Sequence, residues 1–367
     1  MDRTEHGTGA PSPRGRMARR APRRRTVATI GALAAAVVGT GGVAANASTP
    51  HSTTAAPSAD APFAVGISPG SDVLWQSPSQ VASTMSAMAA AGDKWVRIDV
   101  DWAAVEATKG SYNWSFEDTA IRSAVNAGLT VDAILDYAPS WAVSNGQPSA
   151  SAFATFATQA VKRYSALGVH VYEVWNEENL GWTWNNSVSV TSYGQLLQRG
   201  YKAIHGADAH SVVLLGGLGM GPAGMDNSLA VDPYTFLSEL YAGGYGRYFD
   251  AVAIHPYSGQ DAPLTNDPSN NLFPELPSFY SLMQSYGDGA KKIWVTEYGY
   301  HTSGLGSVTE QQQADYLTTA IEAIMGEPWA GPFFIYNWQD DSSQSYGLLR
   351  ADGSAKPALA VFEQSPH

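Results

Sequence analysis

The sequence has no cysteine among its 367 residues and few basic side chains, with 21 Lys and Arg against 33 Asp and Glu. The lack of cysteine excludes disulfide bonds and a lipid-modified cysteine at a cleavage site. Basic residues are also unevenly spread, because residues 1–47 carry a net charge of +6 and the remaining 320 residues carry −18. Since binding to nucleic acid needs a basic surface that neutralises phosphates, duplex nucleic acid is excluded as the expected partner.

The first 47 residues have the pattern of a secretory signal peptide. Seven Arg between positions 14 and 25 precede an apolar run rich in Ala and Gly, and residues 45–47 are small enough for a cleavage site. A transmembrane anchor is the alternative, although Ala, Gly and Thr make the run weakly hydrophobic. We predict a secreted, extracellular protein without stable membrane insertion after cleavage, and a flexible Ser/Thr/Pro/Ala-rich linker at 48–62. The export route, Sec or twin-arginine, stays open.

From residue 63 onward, short β-branched or aromatic runs alternate with segments of helical period. Eight such runs, mostly apolar on both faces, begin at Phe63, Trp95, Leu129, Val169, Ser211, Ala251, Lys292 and Pro332. This pattern is typical of parallel strands covered by helices. Helical segments follow each run, and many of them end at a glycine. The alternation predicts a (β/α)8 TIM barrel, a single catalytic domain at 63–367, with an open doubly wound sheet as the alternative.

Two glutamates stand where a barrel places its functional residues, at the C-terminal ends of strands. Glu177 follows the fourth run in VYEVWNEEN, and Glu297 follows the seventh in IWVTEYGYH. Their separation is three βα units, so both carboxyls are expected at one mouth of the barrel. A pair of carboxylates is what glycoside hydrolysis requires. The alternative is that each glutamate only caps a helix or forms a surface ion pair. This would explain a single glutamate at a strand end, but it explains two less well.

These motifs resemble glycoside hydrolase clan A, the retaining barrel enzymes. WNEEN and TEYG carry the resemblance, and three further pieces extend it over essentially all of residues 63–365. They are the second-strand segment WVRIDVDWAAVEATKGSYNWS, HPY at 255–257, and Trp338 at the eighth strand. The nearest likeness is to family 39-like enzymes, typified by β-xylosidases, and family 5-like cellulases and mannanases are the neighbouring group.

The resemblance implies that Glu177 is the general acid/base and Glu297 the nucleophile. Many relatives have Pro after the acid/base, whereas this chain has Glu178. We assign the role to Glu177 because it directly follows Asn176.

The resemblance also implies binding roles for four residues. Asn176 is expected to hydrogen-bond the sugar 2-hydroxyl. Arg97 is expected beneath Glu297, where a guanidinium lowers the carboxyl pKa. Tyr257 is expected to donate to the nucleophile, and His255 to line the subsite.

Tryptophans cluster in the same regions and support a sugar site, because flat rings stack on sugar faces. Those at strand ends or in the following loops are Trp102, Trp141, Trp175, Trp182, Trp184 and Trp338. We expect Trp182 and Trp184, after the acid/base, to be exposed platforms for the leaving-group side. Tyr137 and Trp141 are candidates for the opposite wall, and Trp338 for the subsite.

Motifs of other chemistries are discounted. GISPG resembles a nucleophile elbow, but Pro69 follows the serine and has no N–H to donate to an oxyanion. GMGPAG fits a dinucleotide pattern, but Pro222 delays the helix that would hold the phosphates, so we interpret it as a loop. His205 and His210 lack the spacing of a helical zinc pair. We predict no metal and no cofactor.

The sequence therefore predicts a monomeric, cofactor-free, retaining glycoside hydrolase with a carbohydrate substrate. A non-catalytic secreted carbohydrate-binding barrel is the alternative, and it has no need for both Glu177 and Glu297. An inverting hydrolase also stays open, because only the carboxyl separation distinguishes the two mechanisms. The sugar, its anomer and exo or endo action are left open.

Overall fold

The structure, a computed structural model, describes residues 58–185, 187–221 and 228–367. The predicted leader, 1–47, and most of the predicted linker, 48–62, lie outside the described residues, as does the second half of the GMGPAG motif. No helix of the described part is both long and apolar enough to cross a membrane.

Eight parallel strands form a closed barrel, and this confirms the predicted fold. In chain order they are β1 (Val65–Ser68), β2 (Trp95–Asp101), β3 (Thr130–Asp136), β4 (Val171–Asn176), β5 (Val212–Gly219), β6 (Val252–His255), β7 (Ile293–Tyr298) and β8 (Ala330–Tyr336). Each strand pairs with its neighbours in the chain, and β8 closes the barrel against β1 with Ser68 opposite Tyr336. All carboxyl ends therefore meet at one end of the barrel, called the mouth below.

Helices follow the strands as the sequence predicts. They are α1 (Pro78–Ala90), α2 (Trp102–Val105), α3 (Ser115–Asn126), α4 (Ala150–Tyr164), α5 (Val190–Ala207), α6 (Pro233–Ala242), α7 (Leu276–Ser285), α8 (Glu310–Ile324) and α9 (Pro357–Glu363). Capping boxes begin α1 at Ser77 and α8 at Thr309, so their first free N–H groups are satisfied locally. The sequence did not predict the single-turn α2 or the two-stranded hairpin at 143–148.

The end of the barrel opposite the mouth is filled by apolar side chains near the beginnings of the strands. Trp294 of β7 is fully buried there and meets Trp95 of β2 edge to face, with ring centroids 5.4 Å apart. Ala61, from the end of the predicted linker, is also buried in this cluster. The packed domain therefore includes at least one residue before the predicted boundary at 63.

Candidate active site

Glu177 and Glu297 meet at the mouth on either side of one imidazole. Nδ1 of His255, at the end of β6, lies 3.1 Å from Glu177 Oε1 and 3.8 Å from Glu297 Oε2. These two oxygens are therefore at most about 7 Å apart, the sum of the two distances. Nε2 of the same ring is 3.1 Å from the Thr296 hydroxyl, which fixes the ring from its other side.

Glu297 is held by two donors. Arg97 Nη1 donates to Oε1 at 2.5 Å, and the Tyr257 hydroxyl donates to Oε2 at 2.9 Å. Burial acts to raise the pKa of Glu297, but its electrostatic interactions with His255 and Arg97 and the hydrogen bond from Tyr257 outweigh burial, so the pKa lies below its usual range. The side chain is therefore present as a carboxylate, the form in which it can attack an electrophilic carbon.

Arg97 is itself held by a carboxylate inside the barrel. It is 2% exposed, and its Nε and Nη2 donate to the two oxygens of Glu173 on β4, each at 2.9 Å. The backbone N–H of Gly217 on β5 adds a bond of 2.7 Å to Glu173. Such a bidentate pair fixes the guanidinium plane, and with it the position of Glu297. Sequence reasoning missed Glu173, although a single acid inside the apolar run VYEVW was a signal.

Asn176 is oriented at both ends of its amide. Its Oδ1 accepts from Arg97 Nη2 at 2.9 Å, and its Nδ2 donates to the Tyr137 hydroxyl at 3.0 Å. The side chain lies between Arg97 and the wall that Tyr137 forms at the end of β3. Arg97 also donates to Glu297, so the amide lies beside the nucleophile candidate, where the resemblance implies that a sugar hydroxyl binds.

The structure separates Glu177 from its neighbour Glu178. The Glu177 side chain is 20% exposed, whereas Glu178 is fully buried with its carboxyl packed against Gly216 of β5. Burial raises the pKa of Glu178 well above its usual range. Of the two glutamates, Glu177 is therefore the one that can meet a substrate.

Glycines of β5 make room for this arrangement. A Cβ on Gly217 would lie 2.1 Å from His255 Nε2, and a Cβ on Gly219 would lie 2.6 Å from Glu177 Oε1. Contacts of this length are too short, so a side chain at either position would displace the His255 imidazole or the Glu177 carboxyl. In the sequence Gly219 stands at the start of a predicted loop motif, whereas in the structure it ends β5.

Two further acids lie near the nucleophile and were not singled out from the sequence. Burial and the charge of Glu297 raise the pKa of Asp99 to about 6, against the opposing effect of Arg97. Asp136 of β3 is fully buried beside it, with a pKa raised well above its usual range, chiefly by burial. Within the described residues no group of three or more His, Asp or Glu is placed to hold a metal ion.

The predicted tryptophan platforms divide into exposed and buried rings. Trp182 is 56% exposed, as expected, but Trp184 is fully buried, and its expected exposure is wrong. A tight turn directs Trp184 inward, because its backbone N–H donates to Leu180 O at 3.0 Å. Its indole N–H donates to Gln147 at 2.8 Å, and its ring packs edge-on against Trp175.

The other predicted rings are largely structural. Trp141 is partly buried, and its indole N–H donates to the backbone carbonyl of Glu106 at 2.7 Å. Trp338 is only 5% exposed and belongs to the core, because the chain after β8 folds back and Leu349 N–H bonds to Trp338 O. His255, expected to line the subsite, is fully buried and contacts both carboxylates instead.

A barrel mouth that brings together one carboxylate from the end of β4 and one from β7 has the arrangement that glycoside hydrolysis requires. The family model described as cellulase, glycosyl hydrolase family 5, matches residues 58–331, and the chain belongs to this family. This is a family of glycoside hydrolases, and the predicted resemblance to clan A is confirmed. No curated protein matches the sequence at a significant level.

Solved structures of families 39 and 5 share the fold. A family 39 glycoside hydrolase from Bacteroides cellulosilyticus WH2 is 22% identical with a TM-score of 0.65, covering 83% of this chain and 64% of that chain. A family 39 β-xylosidase from Caulobacter crescentus is 17% identical with a TM-score of 0.61, covering 85% and 72%. A family 5 subfamily 18 enzyme from Streptomyces cattleya, solved with Manβ1-4GlcNAc, is 15% identical with a TM-score of 0.65, covering 83% and 80%. This chain spans less than two thirds of the Bacteroides enzyme.

Proposed function

We propose that this protein is a secreted, retaining glycoside hydrolase that cleaves O-glycosidic bonds of an oligo- or polysaccharide through a covalent glycosyl-enzyme. One observation carries the proposal: Glu177 and Glu297 flank the same nitrogen of His255, while Arg97 and Tyr257 keep Glu297 ionised. One carboxyl is thus free to carry a proton and the other is held as a nucleophile.

In the first step Glu297 attacks the anomeric carbon. The bond from that carbon to the leaving oxygen breaks, and Glu177 gives its proton to this oxygen, so the leaving group departs as a neutral alcohol. In the second step Glu177, now ionised, takes a proton from water, and the water oxygen attacks the anomeric carbon. Glu297 is released as a carboxylate and Glu177 is protonated again, so the enzyme returns to its starting state.

Retention is proposed from the resemblance to the retaining enzymes of clan A. Inverting enzymes place the carboxyls roughly 6.5–9.5 Å apart to admit a water, whereas retaining enzymes place them roughly 5–5.5 Å apart. The upper limit of about 7 Å between Glu177 Oε1 and Glu297 Oε2 is compatible with the retaining distance. Asn176, fixed by Arg97 and Tyr137, is available to bind the sugar 2-hydroxyl as charge develops at the anomeric carbon.

Secretion and the neutral nature of the substrate rest on the sequence. The Arg-rich start followed by a weakly hydrophobic run supports export. The net charge of −18 after residue 47 favours neutral glycans over polyanions, because like charges repel.

Replacement of the nucleophile tests the mechanism. Glu297→Ala should abolish hydrolysis of aryl glycosides and of polysaccharides while the fold is kept, and added azide should restore turnover as a glycosyl azide of inverted configuration. The matched control is Glu322→Ala, which removes an exposed carboxyl from α8 and should leave hydrolysis unchanged. Wild-type turnover in Glu297→Ala would remove this residue from the mechanism.

Replacement of the acid/base separates its role from that of Glu297. Glu177→Ala should slow natural glycosides far more than aryl glycosides with activated leaving groups, because the latter need no proton to depart. Equal losses on both substrates would contradict the assignment of Glu177 as the acid.

A further inference from the structure

The acid/base candidate lies in a strained turn of the chain. Trp175, near the end of β4, has a φ of 77°, and Glu177 has a φ of 49°. Both angles lie in the left-handed region, which is unfavourable for residues with a side chain because the Cβ comes too close to the following carbonyl oxygen. Contacts elsewhere therefore have to hold the chain in this shape, and those contacts decide where the Glu177 carboxyl points.

Hydrogen bonds hold the turn on both sides of Glu178. The N–H of Glu177 donates to Gly217 O on β5 at 3.1 Å. Asn179 is fully buried, and its amide donates to Gly219 O at 2.7 Å and accepts from Gly219 N at 3.1 Å. Glu178 is the one residue between these two anchors, so its side chain is placed to fix the centre of the turn.

The carboxyl of Glu178 packs against β5 among other oxygens. It is fully buried, and a Cβ added to Gly216 would clash with its Oε2. The same Cβ position is 2.7 Å from Val174 O and 2.9 Å from Trp175 O. Neither carboxyl oxygen accepts a hydrogen bond from a described residue. An ionised carboxylate in this place would lack a donor, which is strongly unfavourable in a buried site.

Tyr193 of α5 is the side chain whose hydroxyl interacts with this carboxyl. The hydroxyl donates its single proton to Val174 O at 2.9 Å and accepts from Gly216 N at 3.0 Å. Because a hydroxyl has one donor and two acceptor positions, only one acceptor position is left. A hydrogen bond between the two side chains therefore needs Glu178 to supply the proton.

The surroundings of Glu178 agree with a neutral carboxylic acid. Burial raises its pKa well above the usual range, and the nearby acids Glu173 and Glu177 add to this effect. In its neutral form Glu178 connects the chain after β4 to Tyr193, which itself bonds to β4 and to β5. One hydrogen-bonded cluster thus joins α5 to two strands directly behind Glu177.

We propose that Glu178 and Tyr193 form a positioning pair, which holds the turn of Glu177 so that its carboxyl meets the oxygen of the bond that is cleaved. Both side chains are fully buried, so they act through the acid/base and not on the substrate. A misplacement of about 1 Å at a catalytic group can cost about a hundredfold in rate. This inference rests on the proposed function, and it adds the residues that direct the proton transfer.

Glu178→Met tests the pair, because methionine fills the space of the side chain and cannot donate a hydrogen bond. We measure kcat/KM on phenyl and dinitrophenyl glycosides of glucose, mannose and xylose. Phenol leaves slowly without the proton of Glu177, whereas dinitrophenol leaves without it. We expect kcat/KM to fall about a hundredfold on the phenyl glycosides and less than about threefold on the dinitrophenyl glycosides.

The dinitrophenyl substrates give a second readout. Glu177 is also the base that activates water in the second step. If it is misplaced, the glycosyl-enzyme is hydrolysed slowly and accumulates, so kcat and KM should fall together in Glu178→Met. A loss of stability alone would lower the amount of active enzyme and leave KM unchanged.

Two further variants test the hydrogen bond itself. The amide of Glu178→Gln can donate to Tyr193 and carries no charge, so this variant should keep the phenyl-to-dinitrophenyl ratio of kcat/KM within about twofold of wild type. Tyr193→Phe removes the acceptor and should lower the ratio as Glu178→Met does. A Gln variant with the defect of the Met variant, or a Phe variant with the wild-type ratio, would overturn the proposed pair.

The matched control is Glu117→Met. Glu117 is also fully buried, and neither of its oxygens accepts a hydrogen bond from a described residue, but it belongs to α3, between β2 and β3. Its replacement should change the free energy of unfolding and leave the phenyl-to-dinitrophenyl ratio unchanged.

The same measurements separate this inference from the proposed function. Equal losses on both leaving groups in Glu178→Met, with hydrolysis by wild type that depends on Glu297, would overturn the positioning pair and leave the proposed function intact. Hydrolysis that survives Glu297→Ala would overturn the proposed function, and the positioning pair with it.

Discussion

At the scale of single residues, the site depends on how charge is divided between two carboxylates. The Glu297 carboxyl accepts one hydrogen bond from a guanidinium and one from a phenol, whereas among the described residues the Glu177 carboxyl has a hydrogen bond only with the His255 ring. Because the two carboxyls differ in their hydrogen-bond donors, Glu297 on β7 suits the role of nucleophile and Glu177 after β4 suits that of general acid/base. The phenol of Tyr257 is the part of the arrangement that can be removed without leaving a buried charge unpaired.

Tyr257→Phe should move the acidic limb of the kcat/KM profile to higher pH. The enzyme needs ionised Glu297, so activity is lost as the pH falls through the pKa of this group. The Tyr257 bond helps to keep that pKa low, and its loss raises it. On the plateau we expect kcat/KM to fall about tenfold, as for one bond to a charged group. The pH dependence of kcat/KM on an aryl glycoside measures both effects.

Tyr280→Phe provides the comparison for this experiment. It also removes a phenol that donates a hydrogen bond, in this case to Gly289 O, far from the mouth along α7. Its acidic limb should coincide with that of wild type. An unshifted limb in Tyr257→Phe would show that Arg97 and His255 alone hold Glu297 ionised.

Residue patterns predicted the positions of the two catalytic candidates but not the burial of their neighbours. Glu177 and Glu297 could be found because each ends an apolar strand. Trp184 and Trp182 are two residues apart in one loop, yet one is buried and the other is exposed, since a turn and the bond to Gln147 decide their directions. Such contacts join segments distant in the sequence and leave no local signal.

At the scale of elements, β5 is the strand on which the site depends most without contributing a functional side chain. Its glycines lie against Glu178, His255 and Glu177, and its backbone N–H at Gly217 bonds to Glu173. Side chains from β4 and β6 therefore occupy space that β5 leaves empty.

Gly217→Ala should greatly lower turnover while it reduces the free energy of unfolding only moderately. The new methyl would displace the His255 ring, and a misplacement of about 1 Å can cost about a hundredfold in rate. Overpacking of this kind costs about 1–3 kcal/mol of unfolding free energy. Turnover on an aryl glycoside and urea unfolding of the same preparation measure the two effects.

Gly206→Ala tests whether the effect is specific to β5. This glycine lies near the end of α5, and a Cβ there has no neighbour within 4 Å. The substitution should leave turnover unchanged and stabilise the fold by about 0.5–1 kcal/mol through helix propensity. If both variants kept full turnover, the space beside His255 would not matter for the reaction.

Elements were predictable where they are long and periodic. All eight strands and the helices after them follow from apolar runs and glycine ends, but α2 has four residues and each strand of the hairpin at 143–148 has two. Segments this short are stabilised by tertiary contacts, such as those of Trp102 with Phe153 and Phe156, and not by their own periodicity.

At the scale of the whole molecule, some of the acidic side chains that outnumber the basic ones are buried inside the fold. Burial raises the pKa of Asp93 to about 8 and of Glu117 to about 7, so at neutral pH Asp93 is mostly protonated and Glu117 is about half protonated. Composition predicted the negative charge, but it could not show which carboxyls are buried. The true charge near neutral pH is therefore less negative than the residue count suggests.

The free energy of unfolding should fall as the pH rises from about 5 to 8. Asp93 and Glu117 bind protons more tightly in the fold than in the unfolded chain, so stability declines as the pH rises through their folded-state pKa values. Glu297 and Asp118 have lowered pKa values, so the stability that they contribute is lost only at more acidic pH. Urea titrations at pH 5 and pH 8 measure the difference.

Asp93→Asn tests whether Asp93 causes this decrease in the free energy of unfolding between pH 5 and pH 8. The amide keeps an acceptor for the backbone N–H of Trp95 and cannot ionise. The substitution should therefore raise the free energy of unfolding, relative to wild type, more at pH 8 than at pH 5. The same gain at both pH values would mean that Asp93 does not hold its proton in the fold.

The last residues of the chain lie beside the first barrel strand. The N–H of Val65 donates to Pro366 O at 2.7 Å, and the His367 ring bonds to Val65 O at 2.9 Å. This places His367 at the end of the barrel opposite the catalytic carboxylates. An affinity tag attached after His367 therefore immobilises the enzyme on a bead or sensor surface with its cleft facing the solution, accessible to polymers that are much longer than the protein.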